Sequence, residues 1–199
     1  MIELIFATNN SNKVSEIQAG IGNSIHIITL NQAGIDIDIP EPHDTLEANA
    51  SEKSRTIHHL TNKNCFSEDT GLEVEALNGE PGVKSARYAG GEKDFDKNMD
   101  CLLKNLSSFL NKKARFRTVI SLILEGKEYF FEGVCEGQII NQRRGLYGFG
   151  YDQLFLPTGS KRTFAEMDMT EKNTFSHRKK AADGLVLFLQ QQFKNIRTN

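Results

Sequence analysis

The order strand, helix, strand at the front of the chain is what most limits its fold. Residues 2–8, "IELIFAT", form a short apolar run of strand type. "NNSNK" follows as a polar loop, and "VSEIQAGI" then spaces Val14, Ile17 and Ile21 at helical intervals. "IHIITL", residues 25–30, is a second strand. A helix placed between two strands predicts a βαβ unit and an α/β sheet.

The rest of the chain extends that pattern. Residues 44–61 read as a helix with Asp44 or Thr45 as N-cap, and residues 67–77 as a strand. Residues 94–110 read as a helix. Two β runs, 115–124 and 128–140, flank "EGK", a hairpin signal because glycine supplies the turn. Phe116, Ile120, Leu122 and Leu124 share one face of the first run. Residues 176–193 read as a helix whose buried stripe is Ala181, Leu185, Phe188 and Leu189. The hairpin is expected to belong to a second lobe, and a cleft between lobes is a common ligand site. No repeat or linker interrupts the 199 residues, so they are expected to form one domain with two lobes.

Composition bounds the partners. A formal charge of -2 leaves no global basic field for a nucleic-acid polymer or an anionic membrane. Cys65, Cys101 and Cys135 are odd in number and lack CxxC spacing, which suits a reducing cytoplasm. No leader pattern opens the chain and no apolar run is long enough to span a bilayer. These readings predict a soluble cytoplasmic protein.

Five stretches could carry chemistry. "ATNNSNK", residues 7–13, lies between a strand end and a helix start, where backbone N–H groups and Lys13 attract an anion; an Asn-rich turn is the plainer alternative. Lys53 falls on the apolar stripe of its helix with Leu46, Ala50, Ile57 and Leu60. It must either snorkel out or meet a partner, and Glu41 lies just upstream. "SEDTGLEVEALNGEPGVKSARYAG" opens on Glu68 and Asp69, which read as solvated surface or as metal ligands. Neighbours on an extended chain point opposite ways, so only one of them aims at a given site. Glu73 and Glu75 read as the solvent face of that strand. "GLYGFGYD", residues 145–152, surrounds Phe149 and Tyr151 with glycines, as a stacked ring or a tight turn requires. "EKNTFSHRKKA", residues 171–181, has Ser176 as N-cap and puts His177, Arg178, Lys179 and Lys180 in a first helical turn. Cations are unfavourable there unless something anionic or carbonyl-rich faces them.

Together these stretches resemble the inosine triphosphate/xanthosine triphosphate pyrophosphatase family, with "FAEM" as a further match. They run in family order from residue 7 to residue 181. The resemblance implies a mixed twisted sheet with flanking helices, two lobes around a deep cleft, and a homodimer. It implies Mg²⁺-dependent hydrolysis of deoxyinosine, inosine and xanthosine triphosphates to monophosphate and pyrophosphate. Carried over by motif, Thr8, Asn9, Asn10, Ser11, Asn12, Lys13 and Lys53 hold the nucleotide's phosphates, and Thr70 is a further substrate contact. Asp69 is the general base and a Mg²⁺ ligand, with Glu41 or Glu68 as the second ligand. Phe149, Gly150, Tyr151 and Asp152 stack on and read the base, helped by Lys172, His177 and Arg178. The sequence departs from the family pattern around Glu41, where the Glu-Thr-Gly of many bacterial members is missing, and before the Arg144-Gly145 step, where a proline is common. A related Maf-like enzyme acting on modified pyrimidines, and a nucleotide-binding protein without catalysis, are the competing readings.

Overall fold

Alternating apolar residues build the strands, and apolar residues three and four apart build the helices that cover them. The computed structural model describes residues 2–21 and 25–197, with side chains from 3 to 193 where described. Strand β1 (Ile2–Phe6), helix α1 (Ser11–Ile21) and strand β2 (Ile25–Thr29) form the expected crossover, and β1 and β2 pair in parallel. Helix α2 (Leu46–Thr61) and strand β3 (Cys65–Val74) follow, with β1 and β3 also parallel. The short β4 (Pro81–Gly82) pairs antiparallel with β3. Helix α3 (Phe95–Leu106), strands β5 (Lys113–Leu124), β6 (Lys127–Ile139) and β7 (Phe155–Pro157), and helices α4 (Met169–Phe175) and α5 (His177–Arg197) complete the order. Among the described residues the strands run β2-β1-β3-β5-β6-β7, with β4 beside β3, so the sheet is mixed.

The chain divides into two compact units. Unit 1 holds Met1–Asp69, Thr118–Gly133 and Arg178–Asn199; unit 2 holds Thr70–Arg117 and Val134–His177. In unit 1, Leu4, Phe6, Phe66, Ile120, Leu122 and Leu124 pack with Ile17 and Ile21 of α1 and with Ala181, Ala182, Leu185 and Leu189 of α5. The intervening residues Ile5, Cys65 and Ile123 pack instead with Ile57 of α2. Strand alternation therefore puts α1 and α5 on one face and α2 on the other. Phe188 is only partly buried and packs its ring on Tyr129 at 4.5 Å. In unit 2, Leu72, Val74, Phe116, Cys135 and Phe155 close over Met99, Leu102 and Leu106 of α3.

Local chemistry sets the element ends. Thr45 is the N-cap of α2, and its hydroxyl accepts the Ala48 N–H at 3.2 Å. The β5–β6 hairpin turns on Glu125 and Gly126, both at positive φ (51° and 74°), as its right-handed strand twist demands. Three expectations are corrected, and one helix is added. Strand β3 ends at Val74, because the Asn78-Gly79 turn draws residues 75–77 into a 3-10 turn and takes Glu75 off the strand. Helix α3 stops at Leu106, whose carbonyl accepts from the Lys112 ammonium. Leu60 lies 61% exposed, outside the buried stripe of α2. Helix α4 was not anticipated, although Asp168 caps it by accepting the Glu171 N–H at 2.8 Å, a signal that the spacing Asp168…Glu171 carried.

Candidate active site

Unit 1 assembles charge on both sides of β3. The loop after β1 is ordered by its own side chains: the Thr8 hydroxyl accepts the Asn10 N–H at 3.2 Å, and Asn10 Oδ1 accepts the N–H groups of Asn12 (3.0 Å) and Lys13 (3.4 Å). Asn9 Nδ2 donates to the Ile37 carbonyl at 3.0 Å. Ser11 and Asn12 are exposed at the N-terminus of α1, where N–H groups favour an anion.

Glu68 and Asp69 are both buried, which removes the surface reading of the pair. Their neighbours on the extended chain do point apart, and each meets a different set of cations. Glu68 bonds Lys13 Nζ at 2.9 Å and Arg178 Nε at 3.0 Å, and Arg178 also bonds Glu16. Burial alone would raise the Glu68 pKa, but the charges of Arg178 and Lys13 overcome it and hold the carboxyl well below the usual range. Asp69 Oδ1 lies 3.2 Å from Lys53 Nζ, and Glu41 Oε1 lies 2.5 Å from the same ammonium. Lys53 does not snorkel: its side chain is 8% exposed. Burial would strip its proton, yet Asp69 and Glu41 raise its pKa instead. Asp69 moves the other way from Glu68. Loss of water, helped by the charge of Glu41, raises its pKa against the pull of Lys53 and Lys13.

Among the described residues no three His, Cys, Asp or Glu side chains converge as a ready-made metal centre. The convergence of Glu41 and Asp69 on one ammonium nonetheless fits a hard divalent cation, which takes one or two carboxylates beside phosphate oxygens and water.

Unit 2 assembles rings around a buried ion pair. Asp152 Oδ2 accepts the Phe149 N–H at 3.0 Å and the Lys172 ammonium at 2.6 Å. Lys172 Nζ lies 5.7 Å from the Phe149 ring centre and 5.1 Å from that of Phe164. The His177 ring stacks on Phe116, centroids 4.7 Å apart at 13°. Tyr151 is buried and its hydroxyl donates to the Ser85 carbonyl at 2.9 Å, which makes it a core residue; burial raises its pKa. Thr70 is half-buried, and Gly150 has positive φ (63°). The loop before Phe149 closes tightly: the N–H groups of Leu146 and Tyr147 both donate to the Ala165 carbonyl at 3.0 Å. Gly145 makes this approach possible, since a Cβ there would lie 2.2 Å from Ala165 backbone, at φ 87°. Gly145→Ala should cost about 2–3 kcal/mol by overpacking and left-handed strain, seen as a lower urea midpoint. An unchanged midpoint would show that the loop yields freely.

The expected residues thus gather in two sets. Thr8 to Lys13, Glu41, Lys53, Asp69 and Arg178 belong to unit 1; Thr70, Phe149 to Asp152, Lys172 and His177 belong to unit 2. Two cations of the first turn of α5 meet protein acids: Arg178 takes Glu68 and Glu16, and Lys179 pairs with Asp183. Glu16 was missed by sequence reasoning, because no motif marks a carboxylate on the inner side of α1. Arg144 donates to the Lys161 carbonyl at 3.1 Å and pairs with Glu166 at 3.4 Å.

Residues 4–188 match the model of the Ham1 family. A dITP/XTP pyrophosphatase of Flavobacterium johnsoniae is 48% identical over 185 residues, covering 93% of this chain and 96% of that protein. One of Porphyromonas gingivalis is 48% identical over 190 residues, covering 95% and 98%. Among solved structures, the Ham1 protein of Staphylococcus aureus superposes with a TM-score of 0.86 at 36% identity, covering 96% of this chain and 99% of that one. A HAM1 protein from Coxiella burnetii gives 0.87 at 34% identity, covering 96% and 100%.

Proposed function

We propose that this chain, which belongs to the Ham1 family, is a pyrophosphatase that hydrolyses deoxyinosine, inosine and xanthosine triphosphates to the monophosphate and pyrophosphate. The observation that carries the chemistry is Asp69: a buried carboxylate with a raised pKa, held 3.2 Å from a buried ammonium. A carboxylate held in place by that ammonium can orient a water and take its proton. In this reading Asp69 orients and deprotonates the water that attacks the α-phosphorus. Lys13, Lys53 and the N–H groups of residues 8–13 hold the phosphate oxygens as charge moves to the leaving pyrophosphate. Mg²⁺, held by Asp69 and Glu41, would neutralise phosphate charge when bound. The pairing of Glu68 with Lys13 and Arg178 supports Glu41 as the second ligand.

Thr70, Phe149, Gly150, Asp152, Lys172, His177 and Arg178 complete the nucleotide contacts, with Tyr151 supporting their loop from the core. The Phe149 ring stacks on the base, and the donors of unit 2 donate to the 6-keto oxygen of hypoxanthine and xanthine. Adenine's 6-amine would leave those donors unpaired, which a buried site penalises strongly. The same reading expects a cytoplasmic homodimer; no helix among the described residues is long and apolar enough to cross a membrane. The test is a pyrophosphate-release panel with and without Mg²⁺. Inosine, deoxyinosine and xanthosine triphosphates should turn over at least about a hundredfold faster than ATP, as expected where buried polar groups reject a mismatch. Equal rates on ATP would refute the assignment.

A further inference from the structure

The first turn of α3 lies against the aromatic loop of unit 2, and no role follows for it from the contacts assigned above. Phe95, the first residue of α3, sets its ring 6.1 Å from that of Phe149, at 50°. That separation and tilt fall within the range where aromatic pairs attract beyond simple burial. Asp94 fixes the start of the helix by accepting the Lys97 N–H at 3.0 Å. Arg143 then ties the loop to the same turn: one guanidinium nitrogen bonds Asp96 Oδ1 at 2.5 Å, and the other bonds the Asp96 carbonyl at 2.9 Å and Asp100 Oδ1 at 2.5 Å. A planar fork with three acceptors has little freedom to slide. Phe149 is therefore held twice within unit 2: its N–H by Asp152, which Lys172 fixes, and its ring by Phe95, whose turn Arg143 fixes to the loop.

We infer that Phe95 is a positioning residue for the base, acting through the Phe149 ring, with Arg143 setting the distance between them. The inference rests on Phe149 as the stacking residue of the proposed function. Phe95 is 40% exposed, so its ring is not needed to complete the core of unit 2. Its worth lies in presenting Phe149 at one angle to a planar purine.

The test compares ligands with and without a base. Isothermal titration of inosine monophosphate and of inorganic pyrophosphate is run on the wild type and on Phe95→Ala, Phe95→Leu and Phe95→Tyr, beside the kinetics of inosine triphosphate. Phe95→Ala and Phe95→Leu should weaken inosine monophosphate about three- to tenfold, the scale of one aromatic pair, and leave pyrophosphate unchanged. KM for inosine triphosphate should rise by the same factor with kcat kept within about twofold. Phe95→Tyr should restore both, because the ring remains and the exposed edge admits a hydroxyl. Arg143→Ala should act like Phe95→Ala, and Arg143→Lys should not rescue it, since an ammonium cannot make the fork.

Inosine monophosphate binding that does not change in Phe95→Ala, or that falls together with pyrophosphate binding, overturns the inference. A wild type that releases no pyrophosphate from inosine triphosphate but binds the monophosphate in a Phe95-dependent way would sink the proposed activity and leave the inference standing. A wild type that binds neither ligand overturns both.

Discussion

Asp69→Asn should lower kcat for inosine triphosphate by at least about a hundredfold, the lower bound for removing a positioned general base. Affinity for the same nucleotide should change only a few-fold, since Lys13, Lys53 and the loop at residues 8–13 remain. Single-turnover pyrophosphate release and titration of the nucleotide separate the two effects. Turnover near the wild-type rate would remove Asp69 from the mechanism. Burial and the neighbouring Glu41 raise the Asp69 pKa in the metal-free protein. The stability linkage of this group has its own sign. A pKa raised in the folded state contributes stability below the unfolded value, and that contribution is lost as pH rises through the raised value. At neutral pH Asp69→Asn should thus unfold at no lower temperature than the wild type, a loss of activity without a loss of stability.

Glu68→Gln should do the opposite. The side chain of Glu68 is fully buried between Lys13 and Arg178, and removing its charge leaves two cations facing a neutral amide. Breaking a buried ion pair from one side costs about 3–5 kcal/mol. The lower end is expected, because Arg178 keeps Glu16. For a chain of 199 residues that corresponds to a fall in Tm of roughly 10 °C. The pH dependence follows from the depressed pKa. The stability that Glu68 contributes is full above its unfolded pKa of about 4.3 and drains away as pH falls below it, because the unfolded chain binds the proton first. Wild-type stability should decline steeply below about pH 4.3, and Glu68→Gln should flatten that decline. The double variant Glu68→Gln/Arg178→Met should lose less than the sum of its single changes. Additivity within about 0.5 kcal/mol would mean that the two side chains do not share a network.

The two neighbouring acids therefore differ in role because of what surrounds them. Glu68 faces cations that hold it ionised, while Asp69 shares a single ammonium with Glu41 and keeps a raised pKa. Adjacent residues of one strand meet opposite faces of the sheet, and α1 and α5 lie on one face with α2 on the other.

Much of this was legible along the chain. The βαβ opening, the Glu125-Gly126 hairpin and the apolar stripe of α5 follow from periods of 2 and 3.6 and from turn chemistry, which are local properties. Lys53 announced itself as a charge on an apolar stripe, and a buried lysine must find an acid. Helix α4 escaped notice because seven residues carry too little periodicity, although Asp168 and Glu171 marked its start. Leu60 misled because a stripe read at 100° per residue does not show where the covering sheet ends.

The amino-acid sequence by itself determined the βαβ opening, the central hairpin, the long helices, the family and most of the candidate residues. Tertiary structure alone decided which acid answers which cation: that Glu16 belongs with Arg178, that Glu41 reaches Lys53, and that Tyr151 is spent on the core. Those pairings join residues far apart in the chain, as 16 and 178 are. Their energies depend on burial and on distance through space, which no local period of a sequence encodes.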